Sequence, residues 1–310
     1  MPVIFMGTPQ FAVPVLESLL NGSYQVVAVC TQPDKPTGRR RELIPSPVKT
    51  LALGCHIPVM QPKTFKSPQA VEELTRFCPD LIVVAAFGLI LPPAVLSLPR
   101  FGCLNVHPSL LPRHRGPSPV AGAILEGDEI TAATIMLLDA GLDSGPILAQ
   151  REIPILPEDT TGSLTDKLAQ LGAALLMDIL PGWLEGRIKP QPQDESRATY
   201  TRLITSRDGE INWHLPAVEI WRMVRAYNPW PVCYSWWRGK RIKIRSAIPL
   251  EGITQGKVGE VVALPSSPGV GVVTGDGILE LDEVQLEGKK EMSITEFLRG
   301  QRDFIGSVLG

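Results

Sequence analysis

The run Asp80-Leu-Ile-Val-Val-Ala-Ala86 constrains this chain more than any other. After its aspartate it is apolar without alternation and β-branched at the centre, as expected of a strand covered on both faces inside a parallel sheet. A parallel sheet needs crossover connections, and the surrounding sequence offers them. Val3–Met6 reads as a strand, followed by a Gly7-Thr8-Pro9 turn and a helical run around Val13–Leu20; Val26–Cys30 and Ile57–Met60 read as further strands. Pro68–Phe77 is the expected feeder helix for the Asp80 run, and Leu104–His107 the strand after it, with a helix near Val120–Glu126. Thr131–Leu138 and Ile147–Ile155 complete the pattern. This alternation predicts a doubly wound, mostly parallel α/β sheet with right-handed crossovers, whose ligands bind beyond the carboxyl ends of the strands.

The chain has 310 residues, 44% hydrophobic and 20% charged, enough for a sizeable core in two domains. Thr160–Leu180 has helical spacing (Leu164, Leu168, Leu171, Leu175), and Pro181-Gly182 is expected to stop it. The stretch RIKPQPQDESR, Arg187–Arg197, has the composition of an extended linker. The expected division is therefore a first domain over 1–189, a linker over 190–204 and a second domain over 205–310. In the latter, a helix around Ala217–Tyr227 precedes short strand candidates (Arg241–Arg245, Val258–Ala263, Gly271–Val273, Ile278–Val284) between Gly, Pro and Ser turns, which suggests a small β-barrel or sandwich.

A net charge of −2 provides no global attraction to nucleic acid, so any such binding rests on local patches. Cys30, Cys55, Cys78, Cys103 and Cys233 form no CxxC pair, and Cys30, Cys78 and Cys103 read as reduced core thiols, suiting the cytoplasm. No signal peptide and no membrane-spanning run are expected. His56, His107, His114 and His214 show no metal-ligand spacing, and no metal is expected. The Gly7-Thr8-Pro9 turn is not a GxGxxG fingerprint, which counts against a dinucleotide dehydrogenase.

The chemistry concentrates in FGCLNVHPSLLPRHRGPSPV, Phe101–Val120. Asn105 and His107 lie two apart, so a strand points both to one face, and the prolines that follow turn the segment into a shaped loop. Asp143 sits in a glycine-flanked turn after another strand candidate. An amide, an imidazole and a carboxylate together suit acyl transfer without a covalent intermediate, two of them donating to an oxyanion and the carboxylate favouring the charged ring. A hydrogen-bonded core histidine and an aspartate present for turn geometry fit the same spacing. Elsewhere, Arg241, Lys243 and Arg245 alternate with Ile242 and Ile244, so a strand there buries the isoleucines and lines up three cations, extended by Arg238 and Lys240. Lys35, Arg39, Arg40 and Arg41 form a basic loop suited to phosphates. Trp230, Trp236 and Trp237 are expected in the core.

Taken together, MGTPQFAVPVLESL, TQPDKPTGRR with LIPSPVK, AAFGLILP, NVHPSLLPRHRGPSPV, LLDAGLDSGPIL and AYNPWP closely resemble the folate-dependent formyltransferases over nearly the whole chain. The resemblance implies a Rossmann-like first domain and an OB-like barrel that binds tRNA. It implies 10-formyltetrahydrofolate as donor and the amine of initiator methionyl-tRNA as acceptor, with a small amine such as an aminosugar nucleotide as the alternative acceptor. It places catalysis on Asn105, His107 and Asp143, with His107 protonated, and folate against Phe87, Gly88, Leu89, Ile90 and Leu91 on one side and Ser109, Leu110, Leu111 and Pro112 on the other. By the same resemblance the basic loop engages the acceptor stem. A monomer is expected.

Overall fold

The Asp80 run is the central strand of a seven-stranded sheet, its five residues Leu81–Ala85 all buried. In this computed structural model, residues 1–37, 42–250, 252, 256–264 and 269–310 are described. The chain divides into two units: Met1–Pro119, Ile130–Pro154 and Thr165–Thr201 form one, and Val120–Glu129, Ile155–Leu164 and Arg202–Gly310 the other.

The first unit contributes, in chain order, β1 (Pro2–Gly7), β2 (Gln25–Cys30), β3 (Lys35–Thr37), β4 (Glu42–Ile44), β5 (Val59–Met60), β6 (Leu81–Ala85), β7 (Cys103–His107), β8 (Ile130–Leu137) and β9 (Ile147–Pro154). Helices α1 (Val13–Asn21), α2 (Pro47–Gly54), α3 (Pro68–Thr75) and α4 (Pro93–Leu96) connect them. Sheet order is β5-β2-β1-β6-β7-β8-β9, with β3 and β4 apart as a two-stranded ribbon. The pairs from β5 to β7 are parallel. Those of β7 with β8 and β8 with β9 are antiparallel, so Thr131–Leu138 and Ile147–Ile155 do not extend the parallel pattern. The connection from β7 to β8 is long and includes the helix Pro119–Glu126, whereas a single loop joins β8 to β9; strands paired antiparallel are free of the crossover that a parallel pair needs.

Core packing follows from strand alternation. Ile4, Met6, Ile82, Val84 and Cys103 pack with Leu74 of α3 and Val95 of α4 in one cluster. Ser46 starts α2 by accepting a hydrogen bond from the Lys49 N–H at 3.1 Å, with Pro47 in the first turn. Cys78, expected in the core, is exposed at the end of the turn that follows α3, where its φ of +44° lies in the left-handed region.

The helix expected to stop at Pro181 continues through it. After α5 (Pro119–Glu126), α6 spans Thr161–Leu184 with Pro181 inside. Leu180 is fully buried and the Trp183 indole donates to the Phe101 carbonyl at 3.0 Å, holding the last turn in place despite the missing proline N–H. The chain leaves the helix at Gly186, whose φ of +73° suits a C-terminal cap.

In the second unit α7 (Ala217–Ala226) precedes β10 (Cys233–Trp237), β11 (Lys240–Leu250), β12 (Val261–Ala263), β13 (Val270–Val273), β14 (Ile278–Leu286) and β15 (Met292–Ser293), followed by α8 (Ile294–Gly300). The sheet is antiparallel in the order β10-β11-β14-β13-β12, with β15 on β14. Register breaks around Ser246 bend the long β11, and the sheet curls as half a barrel. Trp237 packs edge-to-face with Phe297 and Phe304 in its core. Trp236 is half-buried, and Trp230, expected in the core, is 58% exposed. β10 escapes sequence reading because Pro229 and Pro231 break the pattern just before it.

Candidate functional site

β7 sets the site. A Cβ added at Gly172 of α6 would lie 2.5 Å from the Val106 side chain, so Val106 faces α6, and alternation sends Asn105 and His107 to the opposite face. Both are buried, Asn105 8% and His107 5% exposed. The register of β6 with β7 pairs Val84 with Asn105, so the loop leaving β6 emerges beside His107.

Asp143 is brought to the same place by the loop between β8 and β9. Its Oδ1 stands 3.9 Å from His107 Nδ1, and its Oδ2 accepts the Gly116 N–H at 2.8 Å. Its φ of +50° is left-handed, a conformation that aspartate tolerates better than most residues. His107 Nε2 lies 3.3 Å from the His114 carbonyl, which can only accept, so the assigned neutral tautomer carries its proton on Nε2 and points the Nδ1 lone pair toward Asp143. Among the described residues the Asn105 carboxamide makes no hydrogen bond.

The expectation of a charged ring runs against the burial of the site. Burial is the largest influence on His107 and pulls its pKa below the ordinary histidine value; the Asp143 carboxylate and the His114 carbonyl push upward without overturning it. Burial thus favours the neutral ring in the free protein.

The loop after β6 is divided in its allegiance. Phe87 and Leu91 are buried in the core cluster, and Leu89 packs partly against it. Ile90 is 87% exposed and Gly88 adopts φ +77°, so these two offer the loop's open surface. The Phe87 carbonyl accepts from Gln32 Nε2 at 3.0 Å and Thr8 Oγ1 at 3.2 Å, a brace invisible in sequence. On the other side Ser109 is fully buried, donating to the Arg113 carbonyl at 2.8 Å while its own carbonyl accepts from Thr134 at 2.7 Å. Leu111 is buried; its carbonyl accepts from Gln150 at 2.9 Å. Leu110 and Pro112 remain half-exposed.

The cationic strand behaves as alternation predicts: Ile242 and Ile244 are fully buried, with Arg241, Lys243 and Arg245 on the other face of β11. Arg241 lies 4.1 Å from the Tyr234 ring centre and 5.2 Å from that of Trp236. Arg245 is taken up by Glu291 at 3.1 Å, and Arg238 by Asp303. Lys240 and Lys243 carry no ion pair among the described residues. Lys35 is exposed on the β3–β4 ribbon, while Arg39, Arg40 and Arg41 lie outside the described residues.

Residues 1–180 match the family described as Formyl transferase, and residues 203–302 match Formyl transferase, C-terminal domain. A methionyl-tRNA formyltransferase of Chloroflexus aurantiacus is 48% identical over 97% of both chains. One from Pseudomonas fluorescens is 45% identical over 99% of this chain and 96% of its own. The fold resembles the N-formyltransferase of Helicobacter canadensis in complex with folinic acid and dTDP-3-aminofucose, with TM-score 0.67 at 18% identity, covering 94% of this chain and 99% of that one. It also resembles HypX from Aquifex aeolicus in complex with tetrahydrofolic acid, with TM-score 0.61 at 20% identity over 99% of this chain and 48% of that one. With an amide, an imidazole and a carboxylate gathered at the carboxyl end of β7, and relatives of this similarity along almost its entire length, the chain belongs to the methionyl-tRNA formyltransferase family.

Proposed function

We propose that the protein transfers the formyl group of 10-formyltetrahydrofolate to the α-amino group of methionyl-tRNA, with Asn105, His107 and Asp143 as its catalytic residues. The near end-to-end similarity to relatives bearing that name carries the reading. The folate side is supported by the open Gly88–Ile90 surface beside His107 and by a buried carboxamide at Asn105 that no protein group occupies.

The reaction joins the amine nitrogen to the formyl carbon, breaks that carbon's bond to folate N10, and moves one proton from the amine to N10. Asn105 donates its N–H to the formyl oxygen as negative charge gathers there. His107 Nδ1 and Asp143 Oδ1 are both acceptors facing one gap, so an amine entering it donates to both. His107, neutral beforehand, takes the amine proton on Nδ1, and the imidazolium so formed gains the attraction of the adjacent carboxylate. The second unit's cationic strand tracks the RNA backbone, with Lys240 and Lys243 as its uncommitted charges and Arg241 as a stacked one. The basic loop at Lys35 and residues 39–41 is assigned to the acceptor stem, and the donor slot to Phe87–Leu91 and Ser109–Pro112 by backbone and exposed side chains.

The test is a formylation assay with 10-formyltetrahydrofolate and charged initiator tRNA, using a nucleotide-linked aminosugar as the competing acceptor. Formyl transfer to the tRNA amine alone is expected; transfer to the sugar amine alone would assign the enzyme to the other acceptor class.

A further inference from the structure

The stretch whose composition reads as a linker is bonded, as far as Thr201, into the loops that form the site. Gln191 exchanges two backbone hydrogen bonds of 2.8 Å with Ile147, at the base of the Asp143 loop. Further on, the Arg115 N–H donates to the Thr199 carbonyl at 2.9 Å and the Thr201 N–H to the Arg115 carbonyl at 2.8 Å. Residues 191–201 thus run as a strap from the Asp143 loop to the segment following His107.

Gln193 lies at the junction. Its Nε2 donates to the carbonyls of Asp143 at 2.8 Å and Gly145 at 2.7 Å, while its Oε1 accepts from Arg115 Nε at 3.1 Å and Nη2 at 2.9 Å. The Arg115 side chain is 1% exposed and is held as well by Glu195 at 2.7 Å and the Tyr200 hydroxyl at 3.1 Å. One carboxamide therefore ties the backbone of Asp143 to a guanidinium that the fold has immobilised. The next residue along, Gly116, supplies the N–H that fixes the Asp143 carboxylate. Backbone and side chain of Asp143 are thus both referenced to the Arg115–Gly116 pair.

We propose that Gln193 is a positioning residue for the formyl transfer: its amide holds the Asp143 loop at the distance from His107 that proton transfer requires. This rests on the role assigned to Asp143 above. A carboxylate 3.9 Å from an imidazole nitrogen influences it strongly, and a displacement of about 1 Å at a reacting group commonly costs on the order of 10²-fold in rate. The left-handed backbone of Asp143, which aspartate tolerates, is fixed in place by these bonds.

Two substitutions separate positioning from plain structural support. Gln193→Glu keeps an acceptor for Arg115, so the strap remains anchored, but it loses donation to the two carbonyls; Gln193→Met removes both. Each should lower kcat by about ten- to a hundredfold while KM for donor and acceptor stays within about twofold. In the unliganded full chain, the His107 ring of Gln193→Met should titrate below that of the wild type, because the displaced Asp143 no longer pushes its pKa upward; His114, the other ionisable group facing it, is followed in the same NMR spectrum. Wild-type kcat in Gln193→Glu, with Gln193→Met losing only melting temperature, would reduce Gln193 to a structural anchor and overturn the proposal. So would an unmoved His107 titration in Gln193→Met. A wild-type protein that formylates no methionyl-tRNA would instead sink the reading of the function, while the titration still judges the positioning.

Discussion

Asn105 is a largely buried residue whose carboxamide the fold leaves without a partner among the described residues, so it is available to a ligand. Replacing it with alanine should lower turnover about 10²- to 10³-fold, with donor affinity in an equilibrium titration nearly unchanged. His107→Ala should do the same through lost proton acceptance. The sign of the pH dependence follows from the ring's depressed pKa. In the proposed mechanism the active form of the ring is neutral, so kcat/KM, once corrected for the fraction of acceptor amine that is unprotonated, should stay level across neutral pH and fall only when acidification reaches a value below that of an ordinary histidine. A fall beginning well above that value would assign the base to another group. At this scale the sequence was informative about identity and silent about state: spacing put Asn105 and His107 on one face, while the ring's depressed pKa comes from burial, which outweighs the upward push of Asp143 and of the His114 carbonyl.

Among the elements, β7 is held against α6 with almost no clearance at Gly172. Gly172→Ala should therefore destabilise the protein by about 1–3 kcal/mol despite alanine's better helix propensity, read as a lowered denaturant midpoint. Stability equal to wild type would mean that the strand is free to shift. The elements visible beforehand were those governed by local signals: the apolar runs of β1, β2, β6 and β7, and the leucine spacing of α6. Pro181 misled because a buried Leu180 and the Trp183 hydrogen bond outweigh one missing N–H. The strap was illegible for another reason. Gln193 reaches a partner 50 residues away and Arg115 one 85 residues away, and no local composition announces such pairs.

For the whole molecule, a net charge of −2 leaves RNA affinity to a few well-placed cations. Arg238 and Arg245 already face carboxylates, so exchanging Lys240 and Lys243 together for glutamate should raise the KM for tRNA more than the matching change at Arg238 and Arg245. The double lysine change should also flatten the dependence of log K on log salt by about 1–2 in slope, since each phosphate contact contributes on the order of 0.7–0.9. Equal slopes in both variants would remove the strand from the RNA path. Exposure of Ile90 on a loop otherwise anchored in the core has a consequence for engineering. A substitution there changes folding free energy by no more than about 0.5 kcal/mol, so a mutant library confined to that codon can search for acceptance of unnatural donors without eroding the scaffold that presents it.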